Sequence, residues 1–527
     1  MKILISDKLS AQGIELLKQQ AQWQVDVKTS LTPDQLLLEI GQYDALLVRS
    51  NTKVTVKVIQ AANKLKVIGR AGSGVDNISL EAATNRGIVV MNTPGGNSIS
   101  VAELALGLML AIARHVGPAS ASTKLGIWDK KSFAGFELRD KTLGIVGFGK
   151  IGMEVAKRAK PFQMNLLVYD PYVSDRLAQD LNVKLVPLEQ LLSQSDIITL
   201  HVPSLDSTRN LINAQSIGRM KKGVYLINTA RGDLINEADL LAGLEGGKIA
   251  GAGLDVLSVE PPNPDHPLVR HPRVIATPHI AASTAEAQEV VGVEIAQQVR
   301  DFLQDGIIRN AVNFPSVSFD EYKKIGPFLQ LGEKLGSFLS QICEGRMNEV
   351  AIRYYGEVFD INTQLIANSI VVGILQPILG DSVNLVNARK ILDDRGIVLI
   401  ESRSTRVRSY SNLISLKLKT DAREEWIEGT VLSQGNIRLV SLDGISIEAP
   451  LHGIILHIRN NDTPGVIGQV GTLLGDNQIN IANFALGRGE NHHAVGVVNA
   501  DSPISKTLLA QIRSCPSIQY ARVVQLK

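Results

Sequence analysis

Residues 142–152 read TLGIVGFGKIG, and MEVAKRAK follows. TLGIV has the length and β-branched content of a buried strand, while KIGMEVAKRAK has the period of an amphipathic helix. Between them Gly147, Gly149 and Gly152 fall at GxGxxG spacing. In that context the glycines serve different ends. Gly147 permits the tight turn, Gly149 lets the backbone approach a pyrophosphate, and Gly152 lets helix and strand pack closely. The helix N-terminus, with Lys150 and Ile151, then faces the phosphates. Asp170 ends the next strand, LLVYD, near the ~20-residue spacing of a dinucleotide fingerprint. A carboxylate there accepts hydrogen bonds from both ribose hydroxyls and repels a 2′-phosphate, so the expected cofactor is NAD rather than NADP. A glycine turn alone is common, and Asp170 alone would pass for the start of the Asp170-Pro171 turn; the strand-turn-helix-strand frame gives both their meaning.

Working outward, KILIS, DALLVRS, LKVIGRAG, GIVVMN, NLLVYD, DIITLHVP, GVYLINTA, AGAGLDV and VIATPHI alternate with helical patterns up to about Asn313. This rhythm predicts doubly wound α/β architecture with parallel sheets, and the strands are too many for one compact sheet, so two Rossmann-like units are expected. The first boundary falls at the turn Pro94-Gly95-Gly96-Asn97, ahead of a long helix capped by Asn97 or Ser98. FPSVSF, 314–319, reads as a linker. After it NEVAIRYYGEV, two helical stretches and several further strands make an α+β domain. The last segment runs strand, helix, strand, strand, helix, strand, the βαββαβ order of a ferredoxin-like module.

The bulk numbers narrow the function. At 527 residues the chain exceeds one core, and 44% hydrophobic with 20% charged residues is ordinary globular composition. A formal charge of +2 supplies no basic field for nucleic acid. The N-terminus lacks a signal-peptide pattern, and the apolar run Val101–Ala113 is shorter than the ~20 residues of a bilayer span. Cys343 and Cys515, without CxxC spacing, offer no metal framework and suit a reducing compartment. A cytoplasmic protein without membrane or nucleic-acid partners and without a metal is expected.

Three residues follow strands at the edge where open α/β sheets bind ligands. Arg231, in INTARGDLI, is placed to grip a carboxylate with two hydrogen bonds. Glu260 precedes a double proline. His279, in IATPHIAAS, carries the side chain whose ordinary pKa lies nearest neutrality, suited to take a hydroxyl proton, and an adjacent carboxylate would orient it. Taken singly, each reads as readily as a surface or structural residue.

Together, GFGKIG, NTARGDLI, EPPNPDHPL and TPHIAAST in this order resemble the D-2-hydroxyacid dehydrogenase signature set over about 310 residues. The resemblance implies an Arg231, Glu260, His279 triad transferring hydride between C2 of a hydroxyacid and NAD. It implies cofactor contacts at Ser73, Val202, Ala230, Arg231, Asp255 and His279 as well as the glycine turn. It also divides the chain into a substrate-binding domain, 1–97 and 282–313, and an NAD-binding domain, 98–281, with the cleft between them.

GRAGSGVDNI, VMNTPGGNSISVAELALGLML and the C-terminal modules resemble, more narrowly, the long-form branch that oxidises 3-phosphoglycerate. This implies an intervening domain at 318–450 and an ACT regulatory domain at 452–527. Arg49, Arg70 and Asn97 would then face substrate with Arg231, although Arg49 reads as readily as a strand-end surface residue, and Lys130 and Lys131 would reach the partner subunit's site in a homodimer or homotetramer, although taken alone each is better read as a solvated surface lysine. Asn460, Asp462 and Asn480 would meet an effector, L-serine in this branch; DTPG as a plain helix cap also accounts for Asp462. Two alternatives stay open: a glyoxylate or hydroxypyruvate reductase, which needs no phosphate-binding cations, and an NAD-sensing corepressor on the same fold.

Overall fold

The computed structural model describes the chain except residues 316–318, 357, 359–361, 407, 491 and 527. Part of the expected linker FPSVSF, the expected boundary at 318 and Glu357 of NEVAIRYYGEV therefore lie outside the described residues.

The first sheet is parallel and comprises Lys2–Ile5 (β1), Gln24–Val27 (β2), Ala45–Val48 (β3), Val67–Arg70 (β4) and Val89–Met91 (β5), in the order β2-β1-β3-β4-β5. The second comprises Thr142–Val146 (β6), Asn165–Tyr169 (β7), Lys184–Leu185 (β8), Ile197–Leu200 (β9), Val224–Asn228 (β10), Ile249–Leu254 (β11) and Val274–Ala276 (β12). Its order is β12-β11-β10-β9-β6-β7-β8, also parallel. Connections leave β6 and β9 toward opposite ends of this sheet, so a crevice opens at their C-terminal ends.

Two strands have no counterpart in the sequence reading, β2 and β8. Both are edge strands, and neither is fully buried, so neither carries an apolar run.

The helix Ser98–Ala113 links the two sheets and is buried along much of its length. Strand β11 packs directly on it: a Cβ at Gly253 would lie 3.0 Å from Leu108 and 3.1 Å from Ile112. Asn97 occupies the cap position, but neither it nor Ser98 caps the helix through a side chain. The Asn97 carboxamide instead accepts from Ser73, and Ser98 Oγ is buried without a partner. Among the described residues no single helix is long and apolar enough to cross a membrane.

After β12 the helix Ala285–Asp305 returns to the first sheet, where a Cβ on Gly69 would meet Ile295 and Val299 at 2.9 Å. The stretch Phe319–Ile342, to which the apolar pattern assigned no element, is a 24-residue helix. It packs against Thr363–Leu379 so tightly that a Cβ at Gly336 or Gly373 would collide with the facing helix backbone.

Met347–Gly356 (β13), Val398–Ser404 (β14), Asn412–Thr420 (β15), Glu424–Val431 (β16), Ile437–Leu442 (β17) and Ile445–Pro450 (β18) form the third, mixed sheet. Gly453–Asn461 (β19), Ile481–Arg488 (β20), His493–Ala500 (β21) and Ile518–Leu526 (β22) form an antiparallel sheet in the order β20-β21-β19-β22, with Val466–Asp476 and Lys506–Arg513 as its helices. This is the expected ferredoxin-like arrangement. One apolar core continues from the first sheet through both long helices into β19, β21 and β22. The last module is pinned to the end of the long helix, where the Ile342 carbonyl accepts from Tyr520 Oη at 2.8 Å and Arg423 Nη2 at 2.7 Å.

Candidate active site

A phosphate cradle forms at the C-terminal end of β6. Gly147 turns the chain with φ +93°, and a Cβ there would lie 2.7 Å from the His201 carbonyl carbon and 2.8 Å from Val202, which roofs the turn. At Gly152 a Cβ would collide with the Gly147 carbonyl oxygen, so helix and turn pack backbone to backbone. Gly149 differs: a Cβ on it would meet no protein atom within 4 Å, leaving open the space a pyrophosphate requires at the N-terminus of the helix Lys150–Ala159.

Asp170, just past β7, accepts from Phe148 N at 2.7 Å and from Tyr172 N at 2.9 Å. Its carboxylate is thereby fixed beside the glycine turn, with lone pairs left on both oxygens. These features fit a bound dinucleotide. Ile151 turns into the apolar core beneath, whereas Lys150 Nζ crosses to the Pro94 carbonyl at 2.8 Å. Ser73 Oγ donates to Asn97 at 3.0 Å, joining two expected contacts on the same wall.

Arg231, Glu260 and His279 come together from three separate loops. His279 has a left-handed backbone, φ +54°, unusual for a residue with a Cβ. Asp255 holds it there: its carbonyl accepts His279 N at 2.9 Å, and its buried carboxylate accepts Thr277 Oγ1 at 2.6 Å and the amides of Ile280 and Ala281 at 2.9 Å. Asp255, expected as a cofactor contact, thus spends its oxygens on the histidine loop.

His279 Nδ1 lies 2.7 Å from Glu260 Oε2, and Glu260 Oε1 accepts Leu257 N at 3.1 Å. The hydrogen bond to Glu260 raises the His279 pKa above its ordinary value, with burial opposing. Burial pushes Glu260 upward, but the hydrogen bonds from His279 and Leu257 and the charges of His279 and Arg231 outweigh it and hold the carboxyl below its usual range. Nδ1 is engaged, so Nε2 is the nitrogen free to exchange a proton with substrate. By contrast, burial pushes His201 and His457 down to about 3, keeping both neutral, and His266 is occupied by Glu237 at 3.2 Å.

The Arg231 loop is held by Asn228, whose side chain donates to the Arg231 carbonyl at 2.8 Å and accepts from Ala230 N at 3.0 Å. Arg231 Nη1 donates to the Ala230 carbonyl at 2.7 Å, while Nε and Nη2 meet Asp76 Oδ2 at 3.1 and 3.0 Å. Asp76 follows β4 in the first α/β unit, so this pair spans the cleft. Arg70 lies close by, half-buried, with its buried Nε lacking any partner. Burial, with Arg231 and Arg49 adding repulsion against the attraction of Asp76 and Asp7, pushes its pKa down to about 10. Arg49 is positioned through its backbone by Asp7, at 2.6 Å, and Asn77, at 2.7 Å. Arg70 thus feels Arg49 from its own wall and Arg231 from across the cleft.

Lys130 and Lys131 stand apart on an exposed turn organised by Asp129, which accepts from Lys131 N at 2.9 Å. Asp76, Asn77 and Asn228 escaped the sequence reading. Each lies beside a residue it singled out, but which carboxylate or amide folds back onto an arginine is a tertiary fact.

In the C-terminal module Asn460 is buried and donates to the Asn461 carbonyl at 2.8 Å. Asp462 does not cap the following helix, whose cap position is Gly465; it pairs with Arg488 at 2.7 Å. Asn480 donates to Asp501 at 2.6 Å. Asp462 and Asn480 thus sit at opposite ends of β20 within one module.

Residues 106–281 match the family model of the D-isomer specific 2-hydroxyacid dehydrogenase NAD binding domain, 324–443 the D-3-phosphoglycerate dehydrogenase intervening domain, and 454–517 the ACT domain. Curated relatives bearing the name D-3-phosphoglycerate dehydrogenase include one from Archaeoglobus fulgidus, 41% identical, and one from Methanocaldococcus jannaschii, 42% identical, each alignment covering 100% of both chains. One from Bacillus subtilis is 39% identical over 100% of this chain and 99% of its own. Among solved structures, the TT0316 protein from Thermus thermophilus is similar over 59% of this chain and 100% of its own at TM-score 0.55 and 33% identity. A D-2-hydroxyisocaproate dehydrogenase is similar over 59% of this chain and 99% of its own at TM-score 0.53 and 30% identity.

Proposed function

Since the chain belongs to the D-3-phosphoglycerate dehydrogenases among the D-isomer-specific 2-hydroxyacid dehydrogenases, we infer that it oxidises 3-phospho-D-glycerate to 3-phosphohydroxypyruvate with NAD, the first step of the phosphorylated route to L-serine. The observation that carries this reading is the 2.7 Å His279–Glu260 pair set in the same cleft as the Arg49, Arg70 and Arg231 group.

In this reading Gly147, Gly149, Gly152, Lys150 and Asp170 hold the dinucleotide, which when bound supplies the hydride acceptor. Arg231 engages the substrate carboxylate and stabilises charge at the C2 oxygen. His279 Nε2 removes the hydroxyl proton as hydride leaves C2, and Glu260 stabilises the imidazolium that results. In reduction the same nitrogen returns the proton. Arg49 and Arg70 meet the phosphate, a group that needs several cations. Asn97 and its neighbouring backbone amides, at the start of the long helix, meet the carboxylate end.

The domain division at 1–97 with 282–313, 98–281, 318–450 and 452–527 belongs to the same proposal. So does a cytoplasmic homodimer or homotetramer, for which the exposed Leu125, Ile127 and Trp128 beside Lys130 supply an apolar contact surface. L-serine is the effector in this reading. Asp462 and Asn480 are separated by the length of β20, so a pocket using both draws them from two paired modules.

A panel of 3-phosphoglycerate, D-glycerate, D-lactate and D-2-hydroxyglutarate, followed by NADH absorbance, tests the assignment. Turnover confined to the unphosphorylated acids would remove the phosphoglycerate reading. Calorimetry with L-serine on the full chain tests the effector.

A further inference from the structure

Both nitrogens on one edge of the Arg231 guanidinium are taken by a carboxylate that belongs to the protein. Asp76 Oδ2 accepts from Nε at 3.1 Å and ion-pairs with Nη2 at 3.0 Å, so one carboxylate oxygen covers the Nε/Nη2 edge that an arginine offers a carboxylate ligand. The fit is built from both walls. On the Asp76 side the pair lies over Gly74, where a Cβ would collide with Arg231 Nη2 and lie 2.9 Å from Asp76 Oδ2. On the Arg231 side the third nitrogen, Nη1, is tied to the Ala230 carbonyl at 2.7 Å, which keeps the Nε/Nη2 edge turned toward the cleft.

The surroundings make this carboxylate the natural counter-ion of the site. Half-buried Arg70, whose buried Nε lacks a partner, feels Arg231 and Arg49 as repulsion and Asp76 and Asp7 as attraction. Asp7 is committed to the backbone amides of Arg49 and Thr52. Asp76 is the movable one of the two acids, with 67% of its side chain exposed against 32% for Arg231.

We propose that Asp76 is a resident stand-in for the substrate carboxylate: it occupies Arg231 across the cleft when no substrate is bound and yields that edge to the incoming acid. The idea rests on Arg231 being the carboxylate clamp and adds the group that competes for it. Asp76 is a positioning residue, acting through Arg231. It keeps the guanidinium extended toward the cleft and neutralised, and every carboxylate ligand must displace it. An exposed ion pair of this kind is worth about a two- to five-fold change in ligand affinity.

The test measures binding of oxamate, a 2-ketoacid mimic, to the NADH complex by calorimetry on the full chain, its Asp76→Asn variant, Arg231→Gln, and the double variant. Asp76→Asn should tighten oxamate about two- to five-fold and raise kcat/KM through a lower KM. In the Arg231→Gln background the same change should have no effect, because no edge remains to contest. Equal tightening in both backgrounds would mean that Asp76 acts only as a charge in the general field, and unchanged or weaker binding in Asp76→Asn would mean that it merely supports the loop; either result overturns the proposal. Arg231→Gln that leaves oxamate affinity intact would refute the clamp itself, a failure distinguishable from the others.

Discussion

Gly149 and Gly152 stand three residues apart in the same turn, and the structure assigns them opposite sensitivities. At Gly149 the backbone is extended, φ −72° and ψ −163°, within reach of any residue. It is the cap position of a helix, where serine is preferred over glycine, and a Cβ there meets no protein atom within 4 Å. Gly149→Ser should therefore leave the fold intact, with a stability change within about 0.5 kcal/mol and a melting shift of roughly 1–2 °C. Its side chain nevertheless fills the space left for the pyrophosphate. Losing one charge-assisted hydrogen bond to a phosphate costs about 1.5–3 kcal/mol, so NADH should bind roughly 10- to 150-fold more weakly.

At Gly152 an added Cβ collides with the Gly147 carbonyl oxygen and lies 3.4 Å from Ile145, so the helix must retreat from the strand. Overpacking of this kind costs about 1–3 kcal/mol, or roughly 3–10 °C in a unit of this size. Gly152→Ala should thus lose stability along with NADH affinity. Fluorescence titration with NADH and thermal melts of both apo-proteins read the contrast. Normal NADH binding by Gly149→Ser would refute the placement of the dinucleotide at this turn, and equal melting losses in the two variants would refute the packing contrast.

The raised pKa of His279, caused first by its hydrogen bond to Glu260, sets the direction of two pH profiles. Oxidation needs the neutral imidazole, so kcat/KM should fall as pH drops through a midpoint above the ordinary imidazole value of ~6.5, while reduction should fall as pH rises through it. Glu260→Gln should move both midpoints to lower pH, and unmoved midpoints would show that the pair does not control the proton. Asp170→Ala removes the carboxylate fixed beside the turn, and should weaken NAD while narrowing its advantage over NADP; steady-state kinetics with both cofactors check this.

The nucleotide unit was legible in the sequence because its requirements are local. The turn after β6 needs its glycines at fixed spacing, Asp170 must end the adjacent strand, and buried parallel strands advertise themselves as apolar runs. Arg231, Glu260 and His279 were each legible as strand-end residues. The βαββαβ module was legible for the same reason.

What only the tertiary structure decided depends on residues distant in sequence. The edge strands β2 and β8 carry too little burial to leave a pattern, and the glycines that let the helices Phe319–Ile342 and Thr363–Leu379 touch gain meaning only once the two are side by side. Asn97 reads as a helix cap until Ser73 is brought to it, and the hold of Asp255 on the histidine loop exists only once that loop folds onto its oxygens. Asp76 reads as nothing at all until the cleft brings it to Arg231, 155 residues away in the chain. Sequence determined which side-chain types stand at which strand ends, since type and local backbone are written in short stretches. Folding decided their partners, because a hydrogen bond or ion pair is set by proximity in space.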